Sequence, residues 1–294
     1  MIKNIILDTD IGDDCDDAYA LAMANIYHNE KKVNLLAVTH ATSIKNGAYC
    51  AYAVNAEYGN KNIPIGSYSG KIVSDEKIDH YATAVKEKFV ENTAITTTDA
   101  VKLMREKLSC IQDKSVDLVA IGPLGNLYAL LESGADGISS LSGQELILKK
   151  VKRVVIMGGA FGEKAKEKHH VEWNVKCDTV AFKGFLDGCN ADVYLIDFFN
   201  GLKVETGETL DGKDDVVAYS FKSFGVSKRP SWDPLSVYFE VTEDEEVFSV
   251  KQGKVTVNDD GFTTFTEGDG NRYLVEVVNP DLATLRLEKL IEKN

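Results

Sequence analysis

Short apolar runs rich in β-branched residues alternate with longer amphipathic stretches up to about residue 240 of the chain. The apolar runs predict buried strands at residues 5–7, 33–39, 116–121, 154–157 and 193–196. The longer stretches predict helices that include residues 17–27, 48–58, 101–108, 124–132 and 179–187. Because strands that alternate with helices are typical of parallel βαβ units, the pattern predicts an α/β fold with a doubly wound, mostly parallel sheet flanked by helices.

The pattern changes after Glu240, where turn signals become more frequent. Residues 246–257, 262–265 and 273–278 read as short strands, separated by turns rich in Asp and Gly. A helix at residues 281–293 follows them. We therefore expect a small antiparallel appendage at about residues 241–278 of one domain that spans residues 1–294.

A dense cluster of carboxylates follows the first predicted strand, since six of the ten residues from Asp8 to Asp17 are aspartates. Two carboxylates about 4 Å apart repel by about 4 kcal/mol at an effective dielectric of about 20, so such a cluster needs a cation, protons or full solvation. The oxygen donors suit a hard cation such as Ca²⁺ or Mg²⁺. Favourable acidic residues at a helix N-terminus would explain Asp16 and Asp17, but would not explain Asp8 and Asp10.

Other predicted strands end in glycine-rich turns, at Gly122-Pro123-Leu124-Gly125 and at Gly158-Gly159. Taken singly, each turn is equally consistent with an ordinary connecting loop. In a parallel sheet, however, the carboxyl ends of the strands share one edge, where α/β proteins bind ligands. The turns and the aspartate cluster are therefore predicted to form the walls of one pocket.

Composition narrows the class of protein. The 294 residues carry a net charge of −13, which argues against a nucleic-acid polymer as partner. The five cysteines are an odd number, widely spaced and without a C-x-x-C motif, so a reducing cytoplasm is expected. We expect no signal peptide, because a strand begins almost at Met1, and no membrane partner, because no apolar run reaches spanning length.

Five motifs occur in order along about residues 4–239: Asp8-Thr9-Asp10-Ile11-Gly12 with Asp16-Asp17, Ile121-Gly122-Pro123-Leu124 with Asn126, Met157-Gly158-Gly159, Glu172 with Asn174 and Asp178, and Trp232-Asp233-Pro234. Together they resemble the inosine-uridine-preferring nucleoside hydrolase family. The resemblance implies calcium-dependent hydrolysis of the N-glycosidic bond of ribonucleosides, to free base and ribose. We also expect a homodimer or homotetramer.

The resemblance implies a role for each matching residue. Asp10 would be both a calcium ligand and the general base that activates the bound water. The other ligands to Ca²⁺ would be the carboxylates of Asp17 and Asp233 and the backbone carbonyl of Ile121. The ribose would be contacted by Asp16, Glu172, Asn174 and Met157. Such a site suits the chemistry, because carboxylates stabilise an oxocarbenium-like transition state and a cation can orient hydroxyls and water.

The chain departs from the family pattern in two places that bear on the reaction. The first loop is two residues longer than is common, so Asp13 and Asp14 have no certain counterpart. Trp232 stands where many members have His, a proposed acid for the leaving base. Trp cannot protonate a leaving group, but its ring can stack on a purine; a packing role is the alternative. Three histidines, His40, His169 and His170, are the available candidates for such an acid. No sequence feature places any of them in the pocket.

Two other functions are compatible with parts of the sequence. A haloacid-dehalogenase-like phosphohydrolase would use Asp8 as nucleophile and Asp10 as acid, but its late acidic Gly-Asp pair is missing here. A nucleoside-hydrolase-fold binder of ribosyl compounds, with little turnover, would explain the missing His. The retained Asp10, Asp17 and Asp233 argue against the binder, since binding alone needs no water-activating base.

Overall fold

The computed structural model describes residues 2–70 and 81–293. The first part of the chain forms β1 (Lys3–Thr9), α1 (Asp16–Asn29), β2 (Val33–His40), α2 (Gly47–Glu57), β3 (Ile65–Ser67), α3 (Ala82–Phe89), β4 (Thr97–Asp99), α4 (Ala100–Ser109), β5 (Val116–Ala120), α5 (Gly125–Glu132), α6 (Gly143–Lys150) and β6 (Val151–Met157). The second part forms α7 (Glu163–Lys168), α8 (Trp173–Cys177), α9 (Thr179–Gly188), β7 (Asp192–Ile196), α10 (Phe198–Gly201), β8 (Glu205–Thr206), a 3₁₀ turn (Glu208–Leu210), α11 (Val216–Phe224), β9 (Arg229–Pro230), α12 (Trp232–Thr242), β10 (Phe248–Val257), β11 (Thr263–Glu267), β12 (Arg272–Val277) and α13 (Pro280–Glu292).

Ten of the strands form one sheet in the order β11-β10-β12-β7-β6-β5-β1-β2-β3-β4. The pairs from β7 through β4 are parallel, which confirms the mostly parallel α/β fold. Side chains alternate between the two faces of a strand. Ile5 and Leu7 accordingly pack into one hydrophobic cluster with α1 and α12, whereas Ile6 packs into a second cluster with α4 and α5. Helices therefore cover both faces, as a doubly wound sheet requires.

The direction in which the chain adds strands reverses beside β1. From β1 the chain continues outward through β2, β3 and β4, and then returns to place β5 on the other side of β1. The carboxyl ends of two neighbouring strands diverge at such a reversal and leave a crevice for a ligand. The loop after β1 contains Asp10, Asp13 and Asp14 and leads into Asp16 and Asp17 at the start of α1, and Ile121 directly follows β5.

The C-terminal strands pair antiparallel with one another, as predicted, but they also extend the main sheet. β10 pairs with β11 and with β12, and β12 in turn pairs parallel to β7. The first of these strands begins at Phe248, later than residue 246, because residues up to Val247 form a turn closed by hydrogen bonds to the Asp244 carbonyl. The assignment of the whole chain to one domain stays a prediction.

Candidate active site

A cavity of about 400 Å³ opens at the carboxyl edge of the sheet, at the reversal beside β1. All nine residues predicted for the site line this cavity: Asp10, Asp16, Asp17, Ile121, Met157, Glu172, Asn174, Trp232 and Asp233. The remaining lining residues are Asp13, Asp14, Trp173, Phe198, Phe224 and Arg229. The motifs converge because each one follows a strand of the parallel sheet or begins a helix beside that edge.

Three buried carboxylates lie closest together in the cavity. Asp16, Asp17 and Asp233 each place a carboxylate oxygen within 4.8 Å of the other two. Burial raises the pKa of each carboxyl well above its usual range, and the neighbouring negative charges raise the three pKa values further. Hydrogen bonds fix the group: Thr9 Oγ1 donates to Asp17, and the Asp233 backbone N–H donates to Asp16 Oδ2 at 3.1 Å.

Asp10 lines the same cavity but lies outside this close group of three. Burial raises the pKa of its carboxyl well above the usual range, and the charges of Asp17 and Asp13 add to the effect. The backbone beyond β5 comes very close to Asp10, since a Cβ at Gly122 would lie 2.7 Å from Asp10 Oδ1. Glycine at position 122 therefore permits this approach.

Asp8 is directed away from the cavity, although it belongs to the same motif. Its carboxylate accepts hydrogen bonds from Thr39 Oγ1 at 2.5 Å and from Asn126 Nδ2 at 2.9 Å. Asp8 shares its face of β1 with Ile6, which packs toward α4 and α5. This position gives Asp8 a structural role and removes the nucleophile that a haloacid-dehalogenase-like reaction would need.

Glu172 and Asn174 form the wall of the cavity on the side of β6. The Glu172 carboxylate accepts hydrogen bonds from the backbone N–H groups of Asn174, Val175 and Gly159, at 2.8, 3.2 and 3.2 Å. Burial nevertheless raises the pKa of Glu172 to about 7. Asn174 Nδ2 donates to the carbonyl oxygens of Ile121 and Met157, at 3.2 and 3.3 Å, and so holds the ends of β5 and β6 together.

Trp232 is half-buried at the start of α12, beside Asp233. Its indole N–H donates to the Phe198 carbonyl at 3.0 Å, and the two rings stack with centroids 5.7 Å apart. The indole passes close over α10, because a Cβ at Gly201 would lie 1.9 Å from Trp232 Cδ1. Trp232 therefore packs firmly and still presents part of its surface to the cavity.

None of the three histidines that are candidates for a leaving-group acid lines the cavity. His40 is buried and lies 3.1 Å from the Ile11 carbonyl, and burial lowers its pKa to about 4. His169 contacts Asp260 at the surface, at 2.8 Å. His170 packs against Phe198, with the two ring centroids 4.2 Å apart.

Sequence reasoning missed an ion pair at the cavity wall. Arg229 donates from Nε to both oxygens of Asp14, at 2.9 and 3.1 Å, and from Nη2 to Oδ2 at 2.5 Å. The pair joins the first loop to β9, 215 positions later in the chain. The longer first loop is the sequence feature that could have predicted this pair. It adds Asp14 beside a buried acidic cluster, and a further negative charge there needs a cationic partner.

The parallel sheet and the carboxylate-lined cavity at its reversal define an α/β protein with an acidic site for a small ligand. The family model for inosine-uridine preferring nucleoside hydrolase matches residues 5–279, and the chain belongs to this family. Membership makes the protein an enzyme that hydrolyses N-glycosyl compounds, and it confirms the resemblance seen in the motifs.

Individual relatives are distant. A probable uridine nucleosidase 2 of Oryza sativa subsp. japonica is 25% identical over 289 residues, covering 88% of this chain and 79% of that protein. A pyrimidine-specific ribonucleoside hydrolase RihA of Shewanella sp. (strain MR-7) is 32% identical over 175 residues, covering 55% and 49%. The crystal structure of an inosine-uridine preferring nucleoside hydrolase from Bacillus anthracis superposes over 100% of both chains, with a TM-score of 0.77 at 19% identity, and so shows the same fold.

Among the helices of residues 2–70 and 81–293, none combines the length and apolar character that a bilayer span requires.

Proposed function

We propose that this enzyme hydrolyses the N-glycosidic bond of ribonucleosides with Asp10 as general base and with Ca²⁺ as cofactor. The observation that carries the proposal is the convergence of the nine motif residues on one cavity, four of them buried aspartates. A small neutral nucleoside is compatible with a cavity of about 400 Å³.

The donor set fits a hard divalent cation. Every candidate ligand offers oxygen, and the aspartates are too close together to be ionised at once without a positive charge between them. Asp10, Asp17, Asp233 and the Ile121 carbonyl would hold the ion, and the close spacing of Asp16 to Asp17 and Asp233 supports a position for Asp16 beside it. When bound, Ca²⁺ would orient ribose hydroxyls and water and lower the pKa of that water.

Residues of this chain supply the remaining steps. The oxygen of a water forms a bond to the anomeric carbon, and Asp10 accepts the proton that the water gives up. The C–N bond breaks with its electron pair moving to the base, and the nearby carboxylates stabilise the positive charge that develops on the sugar.

The polar side chains of Asp16, Glu172 and Asn174 would bind the ribose hydroxyls. Asn174 Nδ2 is engaged by backbone carbonyls, whereas its Oδ1 accepts no hydrogen bond from any described residue. That oxygen is therefore available to a ribose hydroxyl. Contacts of this kind reject sugars that lack the hydroxyl, because the buried partner would be left unsatisfied.

A ribonucleoside panel assayed in Ca²⁺ and in chelator tests the proposal. We expect free base and reducing sugar from ribonucleosides in Ca²⁺, and little of either in chelator or from the matched 2′-deoxyribonucleosides. Binding of ribonucleosides without release of base would instead favour the non-catalytic binder. Equal turnover with and without Ca²⁺ would contradict the cofactor assignment.

A further inference from the structure

The guanidinium of Arg229 lies in an aromatic wall of the cavity. Its central carbon is 5.1 Å from the centre of the Phe224 ring and 5.2 Å from that of Trp232, and all three side chains line the cavity. Arg229 therefore lies against the ring of Trp232, the residue predicted to stack on the base.

Asp14 occupies only one edge of this guanidinium. The bonds from Nε and Nη2 to Asp14 use the side edge of the group and fix its plane. Nη1 donates to no atom of the described residues, and Nη2 keeps a second N–H. The distal edge, formed by Nη1 and Nη2, therefore offers two parallel N–H donors, and a carboxylate and two rings hold the group in place.

We propose that this free edge of Arg229 binds the base, and that the preferred substrates are 6-oxopurine ribonucleosides. This proposal rests on the proposed function. Two parallel N–H donors match two adjacent acceptors, and O6 and N7 of a 6-oxopurine form such a pair. Adenine places an N–H₂ donor where the first acceptor should be. A pyrimidine has no ring nitrogen in the second position.

The same contact assists departure of the base. When the C–N bond breaks, its electron pair moves onto the purine, and the negative charge spreads to O6 and N7. A guanidinium stays protonated, so Arg229 stabilises this charge by hydrogen bonds and does not act as an acid. Asp10 takes the proton of the attacking water, and the departing base receives its own proton from solvent.

Arg229→Met tests the proposal, because it removes the donors and keeps a long side chain. The ratio of kcat/KM for inosine to that for adenosine should favour inosine in the wild type. It should fall by about 5- to 150-fold in Arg229→Met, the range expected for one bidentate base contact. Arg229→Lys keeps the charge without the planar fork and should lose most of the same preference.

Two comparisons separate base recognition from general damage. Lys228→Met removes the neighbouring charge, which is paired with Glu208 at the surface, and should leave the ratio unchanged. Hydrolysis of p-nitrophenyl riboside, whose leaving group offers no O6 and N7 pair, should fall much less than inosine hydrolysis in Arg229→Met. An equal fall for all three substrates would overturn the proposal and leave the Asp14 pair a purely structural role. So would full preference for inosine in Arg229→Lys.

Failure of the proposed function would look different. In that case the wild type would release ribose neither from nucleosides nor from p-nitrophenyl riboside. Calorimetric binding of inosine and adenosine still decides the role of Arg229. Tighter binding of inosine that disappears in Arg229→Met supports it, and equal binding of both nucleosides by the wild type refutes it.

Discussion

Replacement of Asp233 by Asn should stabilise the fold in chelator and remove most of the stabilisation that Ca²⁺ gives. The Asp233 carboxylate has an oxygen within 4.8 Å of oxygens of Asp16 and Asp17. At an effective dielectric of about 20, each ionised pair at that distance repels by about 3.5 kcal/mol. Asp233 takes part in two such pairs, so its charge is costly unless a proton or a cation neutralises it.

The sign of the pH dependence follows from the raised pKa values. A carboxyl whose pKa is higher in the folded state keeps its proton longer there, so the folded state loses stability as the pH rises. Asp233→Asn removes one such group together with both repulsions. In chelator the variant should therefore be more stable than the wild type, and its advantage should grow from acidic to alkaline buffer.

Calcium should act in the opposite direction. A ligand at 100 times its dissociation constant stabilises the folded state by about 2.7 kcal/mol. The wild type should gain this free energy of unfolding when Ca²⁺ is at about 100 times its dissociation constant. Asp233→Asn lacks one ligand and should gain little at the same Ca²⁺ concentration. The stability order of the two proteins then inverts between chelator and Ca²⁺.

Urea unfolding of both proteins, in chelator and in a Ca²⁺ titration, measures these free energies directly. Asp211→Asn is the matched control, because it removes the same charge at an exposed position outside the cavity, and it should respond to Ca²⁺ like the wild type. An equal gain from Ca²⁺ in Asp233→Asn and in the wild type would refute the assignment of Asp233 as a ligand.

Three further changes test other parts of the structure. Asp10→Asn should keep the fold and lower kcat by roughly 100- to 10,000-fold, and near wild-type turnover with metal bound would contradict Asp10 as the base. Trp232→Ala should raise KM for purine nucleosides more than for pyrimidine ones, since stacking is worth roughly 1–3 kcal/mol per base; equal small effects in a kinetic panel would favour a packing role. Arg153→Met should cost roughly 3–5 kcal/mol in urea unfolding, because it removes the partner at 2.8 Å from the buried Glu240 carboxylate and leaves only Lys3, at 3.8 Å. Burial raises the pKa of Glu240 to about 8, so this loss should be larger above that pH than below it, and a loss independent of pH would argue against an unpaired charge.

Strong local patterns made the central sheet predictable. The predicted strands at residues 5–7, 33–39, 116–121, 154–157 and 193–196 are all present, because burial on both faces demands continuous apolar runs. β3 and β4 were missed, since Ile65–Ser67 and Thr97–Asp99 are too short and polar to show such a run. The parallel pairing of β12 with β7 could not be predicted either, because partner choice depends on contacts far apart in sequence.

The motif residues of the site were predictable for a related reason. Residues at the carboxyl ends of parallel strands meet at one edge, so Asp10, Ile121 and Met157 all line the cavity. The Asp14–Arg229 pair follows no such rule. It depends on how a long loop after β1 meets the short β8–β9 ladder, in which Thr206 pairs with Arg229.

This ladder also bears on how the leaving base is assisted. Many members of the family have His where this chain has Trp232, and the only N–H of the indole is engaged by the Phe198 carbonyl. Trp232 therefore offers neither a proton nor a free donor. Three positions earlier, β9 brings the guanidinium of Arg229 against the same ring. A proton donor assists any base that accepts a proton, whereas a fixed cation assists only a base that carries its negative charge on acceptors within reach. The exchange of His for Trp, together with Arg229, should therefore narrow the range of leaving groups in this enzyme.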